Sequence, residues 1–320
     1  MYFPLGDWID AHEGVRHNLG PSGMKGSLRS YARSLRRLPP PDAGRLRAAV
    51  ARTVGTPASA VFLTHGATEG NALVLQHVAQ LARAQGRSVP RLRIEAPEYP
   101  PIPESARMAG FQVVGAGDAA DVVALSAPRN PLGTTVGPGE LDDLADSTAG
   151  ALIDETFREF SGRPSAAAAR VAGRWVTGSF TKAYGADDVR VGWVVAPPGG
   201  EETFGPYHAL STDRLPPHSV ASALALLRDR TTIVGEARRI LRTNEAALRE
   251  AVPELPPLGA PVWFDRGFDG DRLARRALRA GVLVCPGSYF GAPNGVRIGL
   301  TRTSFPDDLA AYLDVRRRAR

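Results

Sequence analysis

Short runs of apolar residues alternate along the chain with longer stretches in which apolar residues recur every three or four positions. The apolar runs are rich in Val, Ile and Leu, and each predicts a buried β-strand. The predicted strands in the first two thirds of the chain are 60–64, 92–96, 111–114, 121–126, 150–154 and 191–195. Because amphipathic stretches separate these strands, we expect an α/β fold with a mainly parallel sheet that is covered by helices on both faces.

Helical periodicity and capping residues mark the segments between the strands. Asp42 follows three prolines and can cap a helix over 43–54, and an amphipathic helix is predicted over 67–81. Glycines and prolines in 200–215 predict a connection without regular structure. The chain is then predicted to be helical over 217–250.

A proline-rich segment at 253–261 separates this helix from the last part of the chain, in which short strands and helices alternate again. We assign this last part to a smaller α+β C-terminal domain. The sequence thus predicts an N-terminal arm at 1–40, a large domain at 41–205 and a small domain at 206–320.

Composition narrows the class of protein. The chain has 320 residues, of which 43% are hydrophobic and 22% charged, as in ordinary globular proteins. We see no apolar run long enough to span a membrane and no secretory signal, and the single Cys285 fits a reducing cytoplasm. The net charge of +6 comes from arginines that are dispersed along the chain, so nucleic-acid binding is not predicted. The sequence also leads us to predict no metal site.

The candidate chemistry centres on one lysine. The chain contains only two lysines, Lys25 and Lys182, among its 39 basic residues. A lysine amine can lose its proton and form a Schiff base with an aldehyde, whereas a guanidinium stays protonated. Lys182 lies in Ser-Phe-Thr-Lys-Ala-Tyr-Gly, and Arg190 follows eight residues later. We therefore expect Lys182 to be a reactive residue.

The segment around Lys182 resembles the lysine segment of class I/II aminotransferases, which are fold-type I enzymes that use pyridoxal 5′-phosphate (PLP). The histidinol-phosphate aminotransferase-like group is the nearest in pattern. Further matching motifs are Gly-Ala-Thr-Glu from Gly66, Pro-Glu-Tyr before Pro100, Asn-Pro-Leu-Gly-Thr from Asn130, and Val-Arg-Ile-Gly-Leu around Arg297. The resemblance runs from about Gly66 to Gly299 and implies that residues 41–205 form the PLP-binding domain.

The resemblance implies a role for each matching residue. The expected phosphate ligands are Gly66, Ala67, Thr68, Ser179 and Arg190. A turn at a helix N-terminus offers free N–H groups, and a hydroxyl and a guanidinium complete a site for a dianion. The other expected cofactor contacts are stacking by Tyr99, a hydrogen bond from Asn130 to the phenolic oxygen, an ion pair of Asp154 with the pyridine nitrogen, and the covalent bond to Lys182.

The family pattern also implies the catalytic and substrate-binding residues. Lys182 would move a proton at Cα of the substrate, while Asp154 would stabilise the cationic ring that accepts electrons. Arg297 would bind the substrate α-carboxylate as a two-pronged donor, with Asn130 beside it. The arm segment 19–22 is a candidate for further substrate contacts.

Two positions depart from the family pattern. Leu38 stands where the family often has a tyrosine that reaches the cofactor phosphate of the neighbouring subunit, and Tyr31 is a candidate substitute. Phe157 stands where the family usually has a tyrosine bonded to the phenolic oxygen. Both departures leave room for a reaction other than transamination.

The resemblance implies an aminotransferase that moves an amino group between an L-amino acid and a 2-oxo acid through a Schiff base on Lys182, in a cytoplasmic homodimer. One alternative is a PLP-dependent decarboxylase or lyase of the same fold, such as the threonine-phosphate decarboxylase type. A second alternative is a non-enzymatic binding module, against which the retention of Lys182, Asp154, Asn130 and Arg190 argues.

Overall fold

A computed structural model describes residues 4–146 and 150–318. The α-helices in these ranges are α1 (Pro4–Asp10), α2 (Arg29–Ser34), α3 (Ala43–Val54), α4 (Ala67–Ala84), α5 (Pro101–Met108), α6 (Pro138–Asp146), α7 (Arg158–Ser161), α8 (Glu201–Ser211), α9 (Pro217–Arg228), α10 (Arg230–Ala251), α11 (Gly270–Arg279) and α12 (Phe305–Arg317). Within the described ranges, no helix is both long enough and apolar enough to cross a membrane.

The strands of the described ranges form three sheets. They are β1 (His17–Asn18), β2 (Val61–Thr64), β3 (Arg91–Arg93), β4 (Gln112–Val114), β5 (Val122–Ser126), β6 (Gly150–Asp154), β7 (Arg174–Ser179), β8 (Gly192–Val195), β9 (Val262–Arg266), β10 (Val282–Leu283), β11 (Cys285–Pro286) and β12 (Gly295–Gly299). The largest sheet has the order β2-β8-β7-β6-β5-β3-β4.

The large sheet is parallel from β4 to β7, and β8 runs antiparallel to both β7 and β2. Its central strands are buried on both faces, which explains why they appear in the sequence as continuous apolar runs. Val123 and Ile153 pack into one apolar cluster, whereas the adjacent Ala124 and Leu152 pack into a second. The predicted α/β fold with a mainly parallel sheet is therefore confirmed.

The C-terminal part carries a separate antiparallel sheet with the order β11-β12-β9. The N-terminal arm is attached to this part, because β1 pairs in parallel with β10. The Gly299 N–H donates to the carbonyl oxygen of Leu19 at 2.7 Å, and the Trp8 indole N–H donates to the Val284 carbonyl oxygen at 2.9 Å. The arm is thus held against the strands that carry Arg297. The division at residues 40 and 205 stays a prediction.

Two predictions for the segment after β8 were wrong. Residues 200–215 were expected to be a connection, but most of them form α8 despite Pro206 inside the helix. Phe204 on α8 is fully buried and packs against Phe62 and Trp175, so tertiary packing outweighs the proline. The helix predicted over 217–250 is also divided into α9 and α10, because Asp229 between them has φ −101° and ψ 15°.

Candidate active site

Three neighbouring strands of the large sheet end in polar residues at the same edge. Ser126 at the end of β5 is in register with Asp154 at the end of β6, and Asp154 is in register with Thr177 on β7. Ser179 ends β7, and Lys182 follows three residues later. Ligands of open α/β sheets bind at the carboxyl ends of the strands. The candidate site lies at this edge.

A cavity of about 150 Å³ opens here. The predicted site residues that line it are Ala67, Thr68, Tyr99, Asn130, Asp154, Ser179, Lys182 and Arg190. Gly66 lies immediately before the helix that provides Ala67 and Thr68, and it shapes the turn without lining the cavity. Sequence segments more than 120 residues apart thus meet around one space.

The turn before α4 is shaped around Arg190. Gly66 has a φ of 100°, and a Cβ atom at this position would lie 3.0 Å from the Arg190 Nη2 atom. Arg190 has a left-handed φ of 51°, which is uncommon for a residue other than glycine and concentrates at functional sites. Its guanidinium donates to the carbonyl oxygen of His65 at 3.2 Å. A side chain at Gly66 would therefore displace the guanidinium from the helix N-terminus.

Asp154 is buried and held by two donors. Its Oδ2 atom accepts from the Asn71 side-chain amide at 2.7 Å, and its Oδ1 atom accepts from the Thr156 N–H at 2.9 Å. The Asn71 Oδ1 atom in turn accepts from the Thr177 hydroxyl at 2.6 Å. These hydrogen bonds fix the orientation of the Asp154 carboxylate at the edge of the cavity.

Lys182 lies between the cavity and the N-terminal arm. The Met24 N–H donates to the Lys182 carbonyl oxygen at 3.0 Å, and a Cβ atom at Gly23 would lie 3.3 Å from the Lys182 Cδ atom. Burial lowers the pKa of the Lys182 ammonium, while the negative charge of Asp187 acts in the opposite direction. A larger fraction of the neutral, nucleophilic amine is therefore present than for an exposed lysine.

Arg297 on β12 is only 2% exposed and projects toward the arm and Asn130. Its Nη1 atom donates to the Asn130 Oδ1 atom at 3.3 Å, and its Nη2 atom donates to the Gly20 carbonyl oxygen at 2.7 Å. The Phe290 ring lies 5.0 Å from the guanidinium carbon. The buried Nε atom of Arg297 has no hydrogen-bond partner among the described residues. A buried guanidinium that borders a cavity suits an anionic ligand.

Arg297 lines a second, outer cavity of about 710 Å³ together with Lys182, Tyr99 and Asp187. The arm also lines this outer cavity, through α1 and through Pro21 and Ser22. Of the segment 19–22, Leu19 is instead fully buried in the apolar core. Lys182 borders both cavities, so a molecule in the outer cavity can approach the lysine.

The two departures from the family pattern have different surroundings. Phe157 lines the inner cavity, and it has no hydroxyl to offer there. Tyr31 donates its hydroxyl to the exposed Asp188 and does not line the inner cavity of its own chain. The suggested contact of Tyr31 with a neighbouring subunit stays a prediction.

The structure adds residues that the sequence did not single out for this site. Ser126 and Asp187 line the inner cavity, and Asn71 and Glu98 bond to residues that do. The sequence contained a signal for Asn71, because it is a polar residue on the buried face of α4. The sequence contained little signal for Glu98, because a Pro-Glu-Tyr-Pro segment is typical of an exposed turn.

The known proteins that resemble this chain carry names that indicate more than one reaction. The chain is 31% identical over 60% of its length to histidinol-phosphate aminotransferase 2 of Methylococcus capsulatus, 55% of which is covered. Matches to other histidinol-phosphate aminotransferases cover between 50% and 74% of the relative. The chain thus spans about half to three quarters of the length of these curated relatives.

Two solved structures share the fold over nearly the whole chain. The PLP-dependent cyclase OrfR has a TM-score of 0.80 and 24% identity, with 100% of this chain and 97% of the cyclase covered. The L-threonine-O-3-phosphate decarboxylase of Porphyromonas gingivalis has a TM-score of 0.71 and 18% identity, with 94% of this chain and 99% of that chain covered. At these identities the likeness establishes fold type I and leaves the reaction open.

The donor set of the inner cavity fits pyridoxal phosphate. A helix N-terminus, the Thr68 and Ser179 hydroxyls and the Arg190 guanidinium suit a phosphate dianion. Asp154 supplies a buried carboxylate for a protonated ring nitrogen, and Lys182 supplies an amine for an aldehyde. The Arg190 guanidinium occupies the space that a side chain at Gly66 would need.

The family model for aminotransferase class I and II matches residues 17–305. This range covers most of the chain and includes every predicted site residue from Gly66 to Arg297. The predicted family, the enzyme class and the cofactor are thereby confirmed. The protein belongs to the class I and II aminotransferase family, whose cofactor is pyridoxal 5′-phosphate.

Proposed function

We propose that the protein is an aminotransferase that moves an amino group between an L-amino acid and a 2-oxo acid. The observation that supports this most directly is the buried guanidinium of Arg297. Arg297 is only 2% exposed, and it lines the same outer cavity as Lys182. A carboxylate of an amino acid in this cavity would pair with the guanidinium and place the rest of the molecule beside the lysine.

We assign the cofactor contacts as follows. The N–H groups at Ala67, the Thr68 and Ser179 hydroxyls and Arg190 would hold the phosphate around the turn at Gly66. Tyr99 would cover one face of the ring, and Asn130 would donate to the phenolic oxygen, since its Oδ1 atom already accepts from Arg297. Asp154, oriented by Asn71, would hold the proton on the ring nitrogen.

The bound cofactor supplies an aldehyde for amines and a cationic ring that delocalises negative charge from Cα. The protein supplies the base. After the substrate displaces its amine, Lys182 would take the proton from Cα and return a proton on the cofactor side. Its pKa, lowered by burial, favours the neutral amine that this step needs. Arg297 would hold the carboxylate throughout, and closure by the arm would limit access of water.

Retention of the carboxylate favours transamination over decarboxylation. Loss of carbon dioxide would consume the anion that Arg297 would hold, so this guanidinium keeps a partner in the product complex only if the carboxylate is retained. Transfer of the amino group keeps the ion pair intact in both substrate and product.

A decarboxylase or lyase is the second candidate. Phe157 supports it, because a ring in place of a hydroxyl changes the hydrogen bonding that Asn130 shares at the phenolic oxygen. The structural likeness to a decarboxylase and a cyclase is compatible with this candidate. We further infer a cytoplasmic homodimer, on the grounds of the family and the single Cys285, with the amino acid and oxo acid as the small-molecule partners.

The test is a transfer experiment with the purified holoenzyme. Single ¹⁵N-labelled L-amino acids are incubated with an unlabelled 2-oxo acid, and ¹⁵N in the new amino acid is measured together with carbon dioxide. Transfer of ¹⁵N by the wild type, but not by Lys182→Ala, is the expected result. Release of carbon dioxide or of ammonia without ¹⁵N transfer would overturn the proposal in favour of the second candidate.

A further inference from the structure

Glu98 is a buried carboxylate immediately outside the inner cavity. It is only 2% exposed, and it lies in the loop between β3 and α5, directly before Tyr99. Its Oε1 atom accepts from the Ser126 hydroxyl at 2.5 Å and from the Tyr99 N–H at 2.6 Å. Its Oε2 atom accepts from the Ser126 N–H at 2.9 Å. One carboxylate therefore binds both the loop of Tyr99 and the end of β5.

The hydrogen bonds continue from Ser126 to the substrate side of the site. The Ser126 hydroxyl oxygen accepts from the Asn130 N–H at 2.8 Å, and the Asn130 Oδ1 atom accepts from Arg297 at 3.3 Å. Glu98 is thus the first member of a chain that runs through Ser126 and Asn130 to Arg297. Tyr99, Ser126 and Asn130 all line the inner cavity, whereas Glu98 does not.

The three groups that bond to Glu98 are the Tyr99 N–H, the Ser126 N–H and the Ser126 hydroxyl, and all three are donors. An ionised carboxylate can accept from all of them. Burial raises the pKa of Glu98 to about 7, although the positive charge of Arg129 and the bonds from Ser126 and Tyr99 act in the opposite direction. Arg129 is itself 3.7 Å from Glu95. Protonation of Glu98 would remove the charge that strengthens these three bonds.

We propose that Glu98 is a positioning residue of the cofactor site, which holds Tyr99 and, through Ser126, Asn130 in place, and that its ionisation makes cofactor affinity dependent on pH. This inference rests on the site assignment proposed above. Ionised Glu98 fixes both residues with charge-assisted bonds, and protonated Glu98 holds them more weakly. Cofactor affinity is then higher above the titration of Glu98 than below it.

The experiment compares Glu98→Gln with the wild type in the cofactor-free protein. A glutamine keeps the shape, but its amide cannot accept at both positions, so at least one N–H loses its acceptor. The dissociation constant of pyridoxal phosphate is measured by absorbance from about pH 6 to about pH 8.5, across the titration of Glu98. The ratio of variant to wild type cancels the titrations that both proteins share, namely those of Lys182 and of the cofactor phosphate.

We expect this ratio to rise about five- to tenfold from the acid to the alkaline end of the range, which is the gain when ionisation of the acceptor strengthens one hydrogen bond. Glu95→Gln is the matched control. It removes a nearby carboxylate that also faces Arg129 but bonds to neither Ser126 nor Tyr99, so its ratio should stay close to one. A Glu98→Gln ratio that does not change with pH, or an equal rise in Glu95→Gln, would overturn the proposal.

A second measurement decides the matter if Glu98→Gln fails to fold. The infrared carbonyl band of a protonated buried carboxyl is followed in the wild type, with and without pyridoxal phosphate. The expected result is a band that titrates near neutral pH and at lower pH once the cofactor is bound. Titration at the same pH in both states would contradict the coupling. Neither experiment needs turnover, so a chain that binds the cofactor but transfers no amino group would overturn only the proposed reaction.

Discussion

Asn71 donates its side-chain amide to the Asp154 carboxylate at 2.7 Å, across 83 residues of sequence. The same asparagine accepts from the Thr177 hydroxyl at 2.6 Å, so α4, β6 and β7 are joined beneath the inner cavity. An aspartate that holds a proton on a ring must keep one oxygen directed at that ring. Asn71 holds Oδ2 and the Thr156 N–H holds Oδ1, so these two donors together set the direction of the Asp154 carboxylate.

Asn71→Ala should therefore lower both stability and activity. It leaves a buried carboxylate oxygen and the Thr177 hydroxyl without their partners, so the free energy of unfolding should fall by about 1–3 kcal/mol. Misorientation of Asp154 should lower kcat by about tenfold or more. Asn244→Ala is the matched control, because Asn244 is equally buried and donates to the carbonyl oxygens of Leu300 and Arg302. A similar loss of kcat in both variants would contradict the role of Asn71.

Replacement of Lys182 by arginine should abolish the visible absorption band of the bound cofactor. The charge remains, but a guanidinium cannot condense with an aldehyde, so activity should fall by at least about a thousandfold. Lys25→Arg is the control, since Lys25 is the other lysine and lines only the outer cavity. In the wild type, borohydride reduction followed by peptide mass spectrometry should find the cofactor on Lys182 alone. Label on Lys25 instead would refute this prediction.

Replacement of Arg297 by lysine should weaken the binding of substrate rather than of cofactor. A point charge cannot reproduce the two-pronged contact, so KM for the amino acid should rise by about 10- to 100-fold. Cofactor affinity should change by much less, because Arg297 lines the outer cavity and touches the cofactor site through its bond to Asn130. Arg302→Lys, in the same wall but beside Asp308, should leave KM nearly unchanged. Steady-state kinetics over a range of amino acid concentrations provide the test.

Removal of the Asp187 charge should lower the pKa of Lys182 further. Burial already lowers this pKa, and Asp187 is the largest of the charges that oppose the shift. In Asp187→Asn the rate of pyridoxal phosphate capture by the cofactor-free protein should reach half its maximum at lower pH. Asp188→Asn is the control, because Asp188 is exposed and bonded to Tyr31. Equal shifts in both variants would indicate a general field effect.

The same pKa shift predicts how the stability of the cofactor-free protein depends on pH. The folded pKa of Lys182 lies below that of the unfolded chain. Between the two values the unfolded chain binds more protons, so the free energy of unfolding should rise with pH in this window. Lys182→Met removes the titrating group, and denaturant unfolding at a series of pH values should show a smaller rise. An unchanged pH dependence in Lys182→Met would contradict the assignment.

Much of the candidate site could be predicted because each residue lies beside a local signal. Asp154 ends an apolar strand, and Thr68 follows a glycine turn at a helix N-terminus. Such signals report backbone geometry over a few residues. Glu98 and Asp187 carry no comparable signal, since their roles depend on Ser126 and Lys182, which the fold brings to them. The helix α8 was missed for the same reason, because burial of Phe204 outweighs its proline.

The sequence by itself determined the alternation of strands and helices, the order of the motifs and the choice of Lys182 as the candidate for reaction with an aldehyde. These follow from periodicity and from the chemistry of single side chains. Only the tertiary structure decided which groups meet: Asn71 with Asp154, Glu98 with Ser126, and Arg297 with Gly20 of the arm. Such contacts depend on strand register and on how distant loops pack, and a local pattern carries no information about either.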